Sequence, residues 1–543
     1  MSIVVPLLYR GNRRILFIFM IGILEESAAL FKSRIRPGFF PLASVLTLGF
    51  SACAPGPGYE AFTWNATVAE NVWGHLDRAE NSFTVAGNRI RASPWLESFY
   101  RRREGRLAWS GPRGPLRRAD ELLEAIRCGV DEGLRPADYQ FSLLEGAIGQ
   151  WRRPGKGGIS LVELDLLLSN AFLLYAAHLQ GGRIKPQQIH PEWQVSSPRV
   201  DLGSLLQTVL ELNRIRANLE DLRPAHAGYS ALRLVLQAYR QIAAQGGWPQ
   251  LRAGVRLRLG PQAQVLHQRL LIGGDLEPQE GVGEMQLVQA LRTFQRRHGL
   301  DDSGQVDAAT LKELNIPVEE RIAQIELNME RWRWLPRHQG TRYMLVRIAD
   351  FELDVVEDGE VVHNMRVIVG KPFWRTPIFS AYMTQLVFNP SWYVPESIAA
   401  AEILPLVRRD PNWLERRNFQ VISRGHSSRV VAADSVNWEG ITSENFPYRF
   451  TQAPGVGNSL GRVKFTLPNP FSVFLHDTPD GALFSQPMRA FSHGCIRLEK
   501  SLELAVYVLR SEVGWGREQV VKALKSSRTQ RISLADPVPV YLL

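Results

Sequence analysis

Two short strings near the end of the chain, His476-Asp477-Thr478-Pro479 and Ser492-His493-Gly494-Cys495-Ile496-Arg497, set one thiol among imidazoles and beside a glycine. That combination suits acyl transfer through a cysteine. The thiolate is the nucleophile, and a neighbouring imidazole can bring a cysteine pKa from about 8.5 into the range of roughly 3.5–7.5. His476 and His493 are both candidates for the base. Gly494 allows close backbone approach, so the amides of Gly494 and Cys495 are candidate donors to a tetrahedral oxyanion. Zinc is the competing chemistry for such a set, but no further ligand has a suitable spacing.

The remaining sequence offers little rival chemistry. Cys53 and Cys128 lie far from Cys495 and the total of 3 is odd, which excludes a disulfide framework. Cys128 sits in a helical stretch, where a buried, inert thiol is expected. The 11 His show neither HExxH nor paired CxxC spacing, so neither a metal nor a cofactor is expected. Gly455-Val456-Gly457-Asn458-Ser459-Leu460-Gly461 looks like a dinucleotide loop, yet a strand follows it, whereas that fingerprint opens a helix.

The elements that must position these residues are β-rich. From Tyr343 the apolar period becomes two, with Phe351, Leu353 and Val355 alternating with polar residues, an Asp358-Gly359 turn, and a partner strand over Val361 to Val369. Strands are also predicted over Met383–Asn389, Val463–Leu467, Phe471–His476 and Val538–Leu543, the last marked as a sheet edge by Pro539. Helices return at Ser501–Arg510 and Glu518–Lys525. Between Asn389 and Tyr448 lies a polar insertion carrying Trp392, Tyr393, Trp413 and Trp438, in which any one Trp is more readily local core than ligand contact.

Upstream the pattern is helical, with stretches at Glu121–Val130, Val162–Leu179, Ser230–Ala244 and Arg321–Trp334. Met285 to Gly299 reads as an amphipathic helix with a glycine stop, and Asp307 caps a short helix through Leu314. The chain has 543 residues, 45% hydrophobic and 22% charged, enough for several cores and unlike a disordered or multi-span membrane protein. The net charge of +10 comes from dispersed Arg with no block of like charge, so nucleic acid is not an expected partner. Near the start, basic Lys32, Arg34 and Arg36, apolar Phe39 to Phe50 and small Ser51-Ala52 before Cys53 have the order of an export signal. The small pair before Cys53 resembles a bacterial lipoprotein cleavage box, although Phe50 departs from its usual Leu. Membrane attachment through leader or lipid is therefore an expectation, and Met20 is an alternative start.

AFSHGCIRLE with FLHDTP upstream resembles the YkuD-type L,D-transpeptidases, whose signature is a His, a spacer, then Ser/Thr-His-Gly-Cys, an apolar residue and Arg or Asn. The resemblance continues through VIVGKPFWRTPIFS, VFNPSWYVP and APGVGNSLGRVKF. Upstream, FQRRHGLDDSGQVDAATLKELN resembles a small three-helix peptidoglycan-binding domain, and the whole layout is similar to the large YcbB-like enzymes. This implies a multidomain α+β protein: a leader (1–53), a helical scaffold (54–250), a peptidoglycan-binding domain (251–316), a linker helix (317–340) and a mainly-β catalytic domain (341–543) with a lid insertion at about 391–448. It implies Cys495 as nucleophile, His476 as base, His493 and Gly494 as supports of the oxyanion site, and substrate contacts from Arg497, Ser492, Asn458, Trp392 and Tyr393. Arg497 is expected at the start of the next helix. The implied reaction joins peptidoglycan stem peptides by 3–3 cross-links through a thioester, in the periplasm; water or a wall protein as acceptor, and a non-catalytic wall-binding scaffold, are the alternatives. Arg296, Arg297 and His298 are expected as a surface for the wall polymer.

Overall fold

The computed structural model describes residues 58–76, 84–153, 158–191, 193, 200–254, 261–278, 283–336, 340–410, 412–424, 429–442 and 445–543. The expected leader, with Cys53 and its tether up to residue 57, lies outside them.

The front of the described chain is helical. Helix α1, Arg117–Arg127, turns Leu122, Leu123 and Ile126 inward, but stops before the expected end and continues as a 3-10 stretch, Cys128–Glu132. Gly129 favours the break, since glycine is poor inside a helix and a side chain there would press on Tyr175 at 3.0 Å. Cys128 is thus the helix cap, half-buried rather than buried, and Val130 is 40% exposed rather than core. Helix α2, Leu161–Gly181, starts with a capping box in which Ser160 and Glu163 bond each other's backbone amides. It is long and apolar enough to cross a membrane, yet its side chains, Leu164 to Leu168 among them, form the centre of the scaffold core.

A small module follows, built from α4 (Pro261–Ile272), α5 (Glu284–Arg297) and α6 (Ala308–Leu314) around Leu266, Leu270, Leu291, Phe294 and Leu314. Asp307 caps α6 by accepting from the Thr310 amide at 2.7 Å. Arg297 and His298 are not surface residues here. Arg297 makes a two-pronged ion pair with buried Asp275, and His298 bonds Glu313 at 2.8 Å while its ring packs on Phe294. Both sit where α5 turns inward onto its neighbours; Arg296 is the one of the three with an exposed side chain.

Helix α7, Val318–Arg333, joins the halves. Its Ile325, Met329 and Trp332 share a core with Tyr229, Leu232 and Leu236 of α3 (Ala227–Ala244), and with Tyr343, Leu345 and Tyr541 of the β domain. Fully buried Glu132 is compensated by ion pairs from Arg223 and Arg233 and by the Tyr229 hydroxyl, which in turn accepts from Arg333 of α7. A buried carboxylate at this junction is held by donors from several elements, so loss of one partner leaves an uncompensated charge.

The β domain closes on itself. Its strands are β1 (Arg342–Arg347), β2 (Glu352–Glu357), β3 (Glu360–Gly370), β4 (Phe379–Phe388), β9 (Val463–Thr466), β10 (Leu475–His476), β11 (Ala490–Ser492), β12 (Ile496–Leu498) and β13 (Gln530–Leu542), with β5 to β8 in the insertion described below. They follow the order β11-β3-β12-β10-β9-β4-β13-β1-β2, and a further β2–β3 pairing makes a barrel with β11 appended. Inward residues such as Val367, Leu386, Phe465, Leu475, Ile496 and Val540 fill it.

Two expectations about this barrel need correction. Strand β2 is buried on both faces, because Arg347 gathers Asp350, Glu352 and Asp354 into one ion-pair cluster on what would otherwise be its wet face. Pro539 is not at an edge: β13 lies between β4 and β1. Its missing N–H is tolerated because the pairing with β1 begins only at Val540, just beyond the irregular stretch between Ser533 and Val538.

The insertion forms a separate layer. Its sheet runs β7-β6-β8-β5, from β5 (Trp392–Tyr393), β6 (Phe419–Ser423), β7 (Val430–Val431) and β8 (Tyr448–Gln452). Helical turns between Glu396 and Arg416, including a π-helical turn Ala399–Ile403, pack on it around Val407, Leu414, Trp438 and Phe450. Its root is pinned by Asn389, which takes a left-handed φ of 46° and donates from its side chain to the Ala523 carbonyl.

Candidate active site

The segment from Ser492 to Leu498 alternates in burial, so that Ser492, Gly494, Ile496 and Leu498 are buried while His493, Cys495 and Arg497 are partly exposed on the other side. Arg497 lies in strand β12 rather than at a helix start, because the chain from Ile496 pairs with β10 and β3 before α8 (Ser501–Leu509) begins. Pairing then fixes the second half of the site. His476 is opposite Arg497 across β10 and β12, and opposite Lys464 across β10 and β9. Residues directly opposite share a face, so the row Lys464, His476, Arg497 stands on one side and Phe465, Leu475, Ile496 fill the barrel on the other.

His476 is buried, and its Nδ1 bonds the Asp477 carbonyl at 2.6 Å. A carbonyl only accepts, so the proton is on Nδ1 and Nε2 is left as the basic nitrogen. Burial, reinforced by the Arg497 charge, lowers the pKa to about 3 and keeps the ring neutral. Asp477 is occupied in holding the frame, accepting from the Arg462 amide and the Ser501 hydroxyl at 2.8 Å each.

Burial pushes the Cys495 thiol up, opposed by the Phe474 amide and by the charges of Lys464 and Arg497. The thiol also lies 3.9 Å from the Ser472 carbonyl, at a residue with the left-handed φ of 57°. The loop around it is braced by Ser492, whose hydroxyl donates to the Cys495 carbonyl at 2.5 Å and accepts from the Gly494 amide at 3.1 Å. The Gly494 amide is therefore engaged and does not point freely at an oxyanion. Gly494 itself is required for conformation, with φ at 111° and its carbonyl accepting from Thr376 at 2.8 Å.

Of the expected substrate contacts, Ser492 and Asn458 are buried and spend their polar atoms internally. Asn458 donates to the carbonyls of Pro390, Gln452 and Ala453 and accepts from the Leu460 amide, which holds the glycine-rich turn ahead of β9. Trp392 packs on Phe419 in the insertion, whereas Tyr393 is 72% exposed. Arg497 pairs with Asp480 at 3.3 Å and keeps its buried Nε without a hydrogen-bond partner among the described residues. His493 Nε2 is 2.7 Å from Glu402 of the insertion, and its ring meets Trp374 at 4.8 Å.

Residues 341–539 match the model of the L,D-transpeptidase catalytic domain. The matched residues take in nearly all of the barrel together with its insertion. Residues 94–236 match a scaffold domain and 260–314 a putative peptidoglycan binding domain. A putative L,D-transpeptidase of Haemophilus influenzae is 35% identical over 234 residues, 43% of this chain and 45% of the relative, so the match spans less than half of either protein. Solved L,D-transpeptidases are similar too: one from Mycobacterium smegmatis at 15% identity, covering 37% of this chain and 58% of that one with a TM-score of 0.18. L,D-transpeptidase 3 of Mycobacterium tuberculosis stands at 14%, 37% and 61%, with a TM-score of 0.19.

Lys464 and Glu402 are among the polar residues around the candidate site that sequence reasoning did not single out. Lys464 was reachable, since pairing the strands predicted around Val463 and His476 sets it opposite the imidazole. Glu402 was not: nothing in its local sequence says that a helical turn of an insertion comes down on residue 493.

Proposed function

We propose that the chain is a cysteine L,D-transpeptidase that forms 3–3 cross-links between peptidoglycan stems. The observation that carries this is the shared face of His493, Cys495 and Arg497, with neutral His476 in register beside Arg497. Cys495 Sγ attacks the carbonyl of the third stem residue as its proton passes to His476 Nε2. The tetrahedral intermediate collapses to a thioester, the bond to the terminal D-Ala breaks, and the imidazolium returns the proton to the departing amine. The side-chain amine of a second stem then attacks the thioester, which a sulfur leaving group favours. Because the Gly494 amide is engaged, the Cys495 amide is the backbone donor left for the oxyanion.

Arg497 suits the donor's carboxylate, since its buried Nε is a donor without a hydrogen-bond partner among the described residues. The peptidoglycan-binding module supplies attachment to the glycan, and envelope placement follows from such a substrate. The family's thiol also makes carbapenems, which present a strained acyl group, acylating probes of Cys495. Incubation with disaccharide-tetrapeptide and mass spectrometry of the products tests the reading. Released D-Ala together with cross-linked dimers is expected; D-Ala without dimers would make water the acceptor and the chain a carboxypeptidase.

A further inference from the structure

The insertion reaches the catalytic residues through one carboxylate. Glu402 lies in the π-helical turn Ala399–Ile403, a distortion often found where a helix serves a site. It is half-exposed, stands 2.7 Å from His493 Nε2 and 3.8 Å from Lys371, and its charge also reaches Arg497. An ionised carboxylate only accepts, so Nε2 of His493 carries the hydrogen in this contact. Trp374 packs against the ring as well, and its loop is held close to the barrel: a side chain at Gly370 would collide with the Trp374 carbonyl, and Thr376 bonds the Gly494 carbonyl. The imidazole of His493 is therefore held by two contacts, an aromatic ring of the barrel and an acid of the insertion.

We propose that Glu402 is a positioning residue for His493, so that the insertion contributes part of the site in addition to covering it. The inference rests on the reading of Cys495 as nucleophile. Its chemistry is a single oriented hydrogen bond from imidazole to carboxylate, which selects one ring orientation beside the thiol and ties that orientation to a seated insertion.

Two isosteric variants test it on the full chain. Glu402→Met removes the acceptor, whereas Glu402→Gln keeps an acceptor without the charge; both suit a helical turn and a half-exposed site, so folding should survive in each. The rate of Cys495 acylation by a carbapenem is followed by intact mass. Glu402→Met is expected to slow it about ten-fold, the loss of one hydrogen bond to a charged group, and Glu402→Gln to recover most of that rate. In a His493→Ala background Glu402→Met should add no further loss. A wild-type rate for Glu402→Met, a Gln variant as slow as Met, or the same loss with and without His493 would each overturn the proposal. Failure of the underlying reading looks different: the wild-type protein would show no adduct on Cys495, or Cys495→Ala would still be acylated.

Discussion

Arg497 stands directly opposite His476 across the parallel pair of β10 and β12, so one hydrogen-bonded register joins the string that holds the buried imidazole to the string that holds the thiol. The guanidinium also acts on both groups, pressing His476 toward neutrality and Cys495 toward the thiolate.

That pairing sets the pH behaviour of the thiol. Burial is the largest influence on Cys495 and raises its pKa, while His476 has already lost its proton at any pH well above about 3. The resting pair is thiol and neutral imidazole rather than an ion pair. Alkylation of Cys495 by iodoacetamide should therefore keep rising through pH 8 and 9, and Lys464→Met should move the curve further to alkaline pH. A plateau reached below pH 7 would show a preformed thiolate.

The same burial makes the fold acid-sensitive. His178 and His226 are lowered to about 4, and His298 and His476 to about 3, each chiefly by burial. An unfolded histidine takes its proton near pH 6.5. Between that pH and the folded values the unfolded chain binds more protons, so stability falls as pH drops below about 6.5. The urea midpoint is expected to be lower at pH 5 than at pH 7.5; an equal or higher midpoint would contradict the buried neutral imidazoles.

In the small helical module the useful contrast is between Arg296 and Arg297. Arg297→Ala leaves Asp275 buried without its partner and should destabilise the module by about 3–5 kcal/mol, seen as early melting. Arg296→Ala touches an exposed pair with Asp302 and should change stability by less than about 1 kcal/mol. If the module holds the wall through this face, Arg296→Ala weakens sedimentation with sacculi while Cys495 acylation stays unchanged.

The insertion should matter unequally for different acyl donors. Replacing 391–448 by a short turn removes Glu402 and, with it, the proposed cap over the site. Carbapenem acylation is expected to fall about as far as in Glu402→Met, about ten-fold, and cross-linking of branched stems to fall further. An unchanged cross-linking rate in a folded variant would remove the capping role.

Much of this was legible because local pattern and tertiary context agree. The thiol's surroundings, the glycine-rich turn leading into a strand, the Asp307 cap and the Asp358-Gly359 hairpin all follow from neighbours in sequence. What escaped depends on distant partners. Arg297 and His298 read as surface until Asp275 and Glu313 are placed beside them, and Pro539 reads as an edge until β1 is seen to begin its pairing one residue later. Asn458 and Ser492 have the chemistry to bind substrate, but the backbone of their own loops claims it. Glu402 becomes meaningful only when the insertion is folded over the barrel.

The central claim is that Cys495 forms the acyl-enzyme, and the direct measurement is intact and peptide-level mass after brief incubation with disaccharide-tetrapeptide, or with a carbapenem as trap. The expected result is a single acyl adduct on the peptide containing Cys495, accompanied by D-Ala release from the tetrapeptide, unaltered in Cys128→Ala and absent in a folded Cys495→Ala. An adduct on any other residue, or D-Ala release by Cys495→Ala at the wild-type rate, would contradict it.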